Sequence, residues 1–260
     1  MTRKGARRYE AMPVAEADAA FVRSLVIYAD SSLIAFNKPS GLPVQTRNPD
    51  DQTLDRLMAA FARSNGKRPR LVHRLDAQTS GVIIAAQTQP AAAALSKAFA
   101  GREAQKTYLA LVSGPAPEAA EGEISHELAR YAARPGLELM RAARPGDQHS
   151  QSALTRWRRL ASAGGLHLLE IRPLTGRMHQ IRVHLSLNGW PILGDPYYGG
   201  AGGLASGGRA RLMLHAAQLI LPHPGRAGQI CLEAPAPDDF LAVLSAAGLP
   251  APADLVSGPG

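Results

Sequence analysis

The sequence predicts an α+β fold with a largely antiparallel central sheet and flanking helices, on three observations. Short apolar runs recur along the 260 residues, and most are joined by turn-forming residues at hairpin spacing. Glycine and proline, at 25 and 20 residues, punctuate the chain too often for long helices. Helical periodicity is confined to a few short stretches, and these do not alternate with strands as in βαβ units.

Taken in chain order, residues 1–22 read as a basic flexible arm. "SLVIYADSSLIAF" holds two apolar runs flanking Ala29–Asp30–Ser31–Ser32, a hairpin pattern. "NKPSGLPV" turns at Pro39 and Gly41. Thr53 is placed to cap a helix running to about Ala62, with Leu54, Leu57, Met58 and Phe61 on one face. "SNGKRPR" is a basic loop. "RLVHRL" reads as a strand, "DAQTSG" as a turn, and "VIIAAQT" as a strand apolar enough to be buried on both faces. Pro90 suits the first turn of a helix that stops at Gly101. "KTYLALVSG" is another strand. "ISHEL" and "LELMRAA" read as edge strands around Pro135–Gly136. "SALTRWRRLA" and "LHLLEIRPL" form a hairpin about Gly164–Gly165. A helix from about Met178 sets Ile181 and Leu185 on one face and ends at Asn188–Gly189. "GDPYYGGAGGLASGG" reads as a flexible loop, "RLMLHAAQLIL" as a strand, and the tail from Asp238 as a last helix.

Neither a repeat nor a long linker divides the chain, so residues 23–260 are expected to form one domain. Length alone would tolerate two. The net charge of +8 points to an anionic partner, of which nucleic acid is the most abundant. The one cysteine, Cys231, excludes an intrachain disulfide and suits a reducing, cytoplasmic setting. Its strand-like surroundings predict a small buried residue. No run of apolar residues is long enough to span a membrane, and the basic N-terminus lacks the apolar stretch of a secretory signal. No sustained apolar surface stripe is visible, so a monomer without an obligate protein partner is expected.

Most reaction chemistries find no support in the motifs. His179 and His184, five apart, would lie about 140° apart on a helix and on opposite faces of a strand, so neither geometry lets both reach one metal. Neither HExxH nor CxxC occurs. The glycine-rich "GGAGGLASGGRA" fits no phosphate-binding loop, GxGxxG is absent, and so is GxSxG. No cofactor and no metal are expected. What remains is Asp76 at a strand–turn junction, Tyr108 in "KTYLAL" and Arg177 in "TGRMHQIRVH". Alone, Asp76 reads first as a turn former, because aspartate is a common turn residue. As a reagent it would need an arginine within about 4–6 Å to favour its ionised form.

Read in order, "NKPSGLPV", "HRLDAQTSG", "KTYLAL", "TGRMHQIRVHL", "GDPYYG" and "LMLHAAQL" resemble the RluA-type pseudouridine synthases over about residues 25–235. The histidine of "HRLD" is similar to the RluA-type version of that motif. The resemblance implies a mixed sheet with a central RNA-binding cleft, and conversion of uridine to pseudouridine in ribosomal RNA, transfer RNA or both, without a cofactor. By position, Asp76 is implied as the catalytic residue, Arg177 as its partner, and Tyr108 as the group that stacks on uracil, its hydroxyl assisting proton removal from carbon 5. Leu214 is implied to line the pocket and Arg74 to help displace the base. His73, Lys38, Arg182 and His179, in the same motifs, are expected to contact RNA or the base. Arg47, Lys67, Arg68 and Arg70 are further phosphate candidates. Met178 departs from the threonine common in relatives. About 25 residues precede "LVIYAD", which is expected to be too few for the separate RNA-binding domain some relatives carry. Two other classes stay open: a non-catalytic RNA-binding or ribosome-assembly protein, and a metal-dependent hydrolase.

Overall fold

The computed structural model describes residues 14–46, 48, 50–199 and 211–252. Its frame is one sheet. The hairpin β1 (Val26–Ala29) and β2 (Leu33–Lys38) begins it. β3 (Arg70–Leu71) and β4 (Ser80–Ala86) follow, then β5 (Gln105–Ser113), β6 (Glu121–Arg134) and β7 (Leu137–Ala142). β8 (Gln151–Ala163), β9 (Leu166–Pro173), β10 (Leu214–Pro222) and β11 (Gln229–Glu233) complete it. The spatial order is β1-β2-β4-β10-β5-β9-β8-β6-β7, with β11 on β10 and β3 on β4. Every pairing is antiparallel except that of β4 with β10.

At that one parallel junction the two backbones leave no room for a side chain. Ala216 of β10 faces Gly81 of β4. Gly81 has φ +114°, and a Cβ there would lie 2.1 Å from Ala216 O, so only glycine fits. Beside it Ser80 Oγ lies 3.0 Å from His215 Nδ1, and His215 Nε2 lies 3.0 Å from Ala234 O. A carbonyl only accepts, so Nε2 carries the proton and the serine hydroxyl donates to Nδ1.

The predicted helices are present with the predicted signals. Thr53 caps α2 (Leu54–Leu57), accepting from Arg56 N at 3.2 Å, and a 3₁₀ turn over Met58–Phe61 extends it. Thr88 caps α3 (Gln89–Ala100), with Pro90 in the first turn. α4 (Gln180–Leu187) and α5 (Asp238–Ala246) pack on the sheet, and Ile181, Leu185, Phe240 and Leu244 join the core built on β5 and β9.

Four expectations need correction. Residues 16–22 are not part of a flexible arm: Glu16–Ser24 forms a helix, α1, whose Ala19 and Val22 are buried. Residues 1–13 lie outside the described residues, as does the glycine-rich part of the loop after Gly199. "RLVHRL" is strand only over Arg70–Leu71, because the next partner on β4, the Ile84 amide, donates to His73 Nε2 at 3.0 Å. A side chain thus takes the place of a backbone acceptor, and the main chain is free to turn away. β6 is not an edge strand but lies between β7 and β8. Cys231 is exposed, on the outward-facing side of the short strand β11.

Candidate active site

The turn between β3 and β4 carries Asp76, closed by a hydrogen bond from Thr79 N to Asp76 O at 3.1 Å. The turn is held from below by the Lys38–Leu42 segment. Lys38 is wholly buried, and its Nζ donates to Pro39 O, Leu42 O and Ala77 O, each at 2.9 Å. Ser40 Oγ donates to Gln78 O at 2.6 Å, and Gly41 N donates to Ala77 O at 2.9 Å. The expectation that Lys38 touches RNA is therefore overturned: all three of its protons are spent on carbonyls that shape the Asp76 turn. Burial pulls its pKa down to about 7, against the pull of the nearby Asp76 charge.

The Asp76 carboxylate opens into a cavity of about 600 Å³ lined also by Tyr108, Leu214, Lys106 and the residues leading into α4. Its arginine partner is Arg182, not Arg177. Arg182 Nη1 lies 3.3 Å from Asp76 Oδ2, while Arg177 is directed outward, its Nε donating to Ser152 O on β8 at 3.2 Å. The cause is the cap of α4. Gln180 Oε1 accepts from Arg177 N at 3.0 Å and from Thr175 Oγ1 at 2.7 Å, folding the "TGRMH" turn so that the Arg177 side chain leaves the site. Arg182, one turn into a helix buried on nearly every side, faces inward.

A second carboxylate holds Arg182 in place. Asp195 accepts from Arg182 Nε at 2.8 Å and from Nη2 at 2.7 Å, a two-pronged charge-assisted pair, and its Oδ1 also accepts from the amides of Tyr197 and Tyr198. A buried guanidinium needs such full satisfaction, since an unpaired one would carry a large desolvation penalty. The rings of Tyr197 and Tyr198 lie 5.5 and 5.1 Å from the Arg182 guanidinium carbon. The Arg182 pKa is pushed further up by Asp195 and Asp76 against the opposing effect of burial, and the Asp195 pKa is pulled down by Arg182.

His179 sits in the left-handed region, with φ 52°, and faces the same carboxylate: its Nε2 is 3.8 Å from Asp76 Oδ2. Its Nδ1 is 2.8 Å from Tyr198 Oη, which itself accepts from Met140 N at 2.9 Å. With that lone pair used, the phenol proton is directed to Nδ1, and the neutral ring, favoured by burial, presents Nε2–H toward Asp76. His73, stacked on Phe99 at 4.5 Å, has its Nε2 committed to Ile84 N, and burial takes its pKa down to about 3. It lines the cavity as a neutral wall. Tyr108 lies on β5 with its phenol held protonated by burial and by the Asp76 charge. Leu214, at the start of β10, is buried in the cavity wall, and Arg74 is exposed at its mouth. His184 faces Thr155 and His126 instead, and among the described residues no three histidine, cysteine or acidic side chains converge as a metal site would need. Of the basic-loop candidates, Arg68 pairs with Asp55, Arg70 donates to Gln89, Lys67 is exposed, and Arg47 lies outside the described residues.

The sequence profile of RNA pseudouridylate synthases matches residues 32–187, more than half of the chain. The chain belongs to the RluA-type RNA pseudouridine synthases. This synthase is 36% identical over 204 residues to the dual-specificity RNA pseudouridine synthase RluA of Yersinia pestis, covering 77% of this chain and 93% of that one. It is 33% identical over 230 residues to the ribosomal large subunit pseudouridine synthase D of Zymomonas mobilis, covering 83% and 70%. Among solved structures, the human RNA pseudouridylate synthase domain containing 4 superposes with a TM-score of 0.73 at 26% identity, covering 88% of this chain and 96% of that one.

The synthase site includes groups that motif reading did not assign. Asp195, Tyr197 and Tyr198 come from "GDPYYG", and Lys106 lies two residues before Tyr108. The one signal available was Asp195 itself, an acid in an otherwise unassigned motif next to two aromatics.

Proposed function

We propose that this synthase isomerises a uridine within structured RNA, and that Asp76 is the carboxylate that acts on the ribose. One observation carries the reading: among the described residues, Asp76 is the only acid lining a cavity that also presents Arg74, Arg102, Lys106, Arg130 and Arg182. Five cations around one carboxylate suit a polyanionic substrate whose sugar meets a single negatively charged oxygen.

In the reaction the bond between uracil N1 and C1′ breaks, the base turns, and C5 bonds to C1′. The proton of C5 is lost and N1 gains one, so no electrons and no outside group are exchanged. Attack at C1′ and removal of the C2′ proton both begin with the Asp76 carboxylate. Arg182 holds that carboxylate aimed, and Asp195 holds Arg182. Tyr108 offers its face to the freed uracil. Burial and the Asp76 charge hold its phenol protonated in the resting site, and its hydroxyl is placed to assist removal of the C5 proton once the base has turned. Drawing the uridine from its stack costs a few kcal/mol, which favours loops and bulges as targets. A relative named for the ribosomal large subunit supports ribosomal RNA, and transfer RNA is the second candidate. We place the enzyme in the cytoplasm as a monomer. No described helix is long and apolar enough to cross a membrane.

The test is Asp76→Asn. Pseudouridine formation, mapped in RNA from cells lacking the gene and restored with either form, is expected to be lost while RNA binding persists. Isomerisation at the normal rate by the variant would refute the role of Asp76. RNA binding with no isomerisation by the unaltered protein would favour the non-catalytic alternative.

A further inference from the structure

The cavity has two ends, and only one is electrostatically complete. At the Asp76 end the buried charges pair with one another, Asp76 with Arg182 and Arg182 with Asp195. At the other end, where α3 finishes and β5 begins, Lys106 lines the wall with His73, Phe99 and Arg102, and no acid is among the lining residues there. Lys106 and Tyr108 are two apart on β5, so the pleat directs both side chains to the same face, about 7 Å apart along the strand. The one hydrogen bond of Lys106 Nζ among the described residues is to Thr175 O at 3.5 Å, the far limit of such a contact.

Lys38 gives the contrast. Lys38 is wholly buried where Lys106 is only partly so, and three carbonyls at 2.9 Å satisfy it. Lys106 has no such cage, though burial lowers its pKa as it does that of Lys38. Ammonium groups withdrawn from water are ordinarily paired. An unpaired one facing a cavity is arranged for an anion that arrives with the ligand. Arg102 reinforces it from the mouth: it takes a left-handed turn, φ 60°, just after α3 and lines the same end.

We propose that Lys106, supported by Arg102, forms a subsite for one backbone phosphate of the nucleotide next to the target uridine. The proposal rests on the reading of this cavity as the uridine site and narrows its substrate class: an internal uridine of an RNA chain is recognised through its neighbour's phosphate, so free uridine lacks a required contact. Lysine suits this task as a compact point charge that accepts a phosphate from a range of directions.

The experiment measures binding of a fluorescein-labelled short oligouridylate to the full chain across a salt series, with Lys106→Met and Lys106→Arg variants. It is repeated with oligonucleotides in which single phosphates are replaced by neutral methylphosphonates. Lys106→Met is expected to weaken binding about tenfold and to reduce the slope of log K against log salt by about 0.7, one phosphate's share on a single strand. One methylphosphonate position should weaken binding to the unaltered protein and have little further effect on Lys106→Met. Lys106→Arg should recover most of the slope, which keeps the test valid if the methionine variant folds poorly. An unchanged slope, or equal losses at every methylphosphonate position in both proteins, overturns the subsite and leaves Lys106 as a tie to the Thr175 turn. Absence of measurable oligouridylate binding to the unaltered protein also overturns it. Isomerisation is assayed separately: Lys106-dependent binding without isomerisation overturns the catalytic reading and keeps the subsite, whereas isomerisation with an unchanged slope does the reverse.

Discussion

Two arginines in one short motif have different tasks because of where the backbone turns. Arg177 belongs to the turn that Gln180 folds, and Arg182 to the buried first half of α4. Arg182→Gln is expected to lower kcat by at least about a hundredfold, because it leaves Asp76 and Asp195 unpaired in a low-dielectric site. Arg177→Gln should raise KM only severalfold and leave kcat nearly unchanged. Single-turnover and steady-state assays on one RNA separate the two, and a comparable kcat loss in both variants would contradict the pairing seen here. Lys38 is informative at the same scale. A lysine in a motif of an RNA enzyme invites a phosphate contact, yet its ammonium is enclosed by three carbonyls. The charge organises the Asp76 turn from inside.

At the scale of elements, the site depends on the parallel junction of β4 with β10, since β4 launches from the Asp76 turn and β10 begins at Leu214 in the cavity wall. Gly81 allows that junction. Gly81→Ala would force a Cβ against the Ala216 carbonyl in a backbone region that L side chains avoid, and should destabilise the fold by about 3 kcal/mol or more. Thr88→Ala, which only removes the cap of α3, should cost about 1 kcal/mol. Urea unfolding of both variants checks the ranking, and equal losses would mean that the strands can shift to admit the methyl group. α4 makes the complementary point. Buried on nearly every side, it carries Gln180, Arg182 and His184 among apolar residues, and hydrogen bonds to Thr155, Thr175 and Asp195 make that tolerable.

For the molecule as a whole, buried neutral histidines set the acid limit of stability. Burial takes His73 down to about 3, and His184 and His215 each down to about 4. In the unfolded chain these rings take up protons near pH 6.5, so below that pH the unfolded state binds more protons than the native one. Stability is therefore complete above about pH 6.5 and is lost as the pH falls toward 4, at about 1.4 kcal/mol per pH unit for each ring. Urea midpoints taken from neutral pH downward should fall over this window, and His184→Gln should remove one ring's share of the slope. A midpoint that stays flat across the window would show that the rings titrate normally in the folded protein.

Periodicity, caps and turn residues by themselves determined most of the elements. Thr53, Thr88 and Pro90 mark helix starts by local chemistry, and Gly164–Gly165 marks a hairpin the same way, because such signals act over only a few residues. The order of the motifs likewise determined the family. Only the tertiary structure decided which arginine faces Asp76, that Lys38 is buried and that Lys106 is left without a counterion among the described residues. It also decided that Asp195, 119 positions beyond Asp76 in number, completes the pair through Arg182. The physical reason is that a charge's role depends on what surrounds it within a few ångströms, and those neighbours come from distant segments whose approach no local pattern encodes.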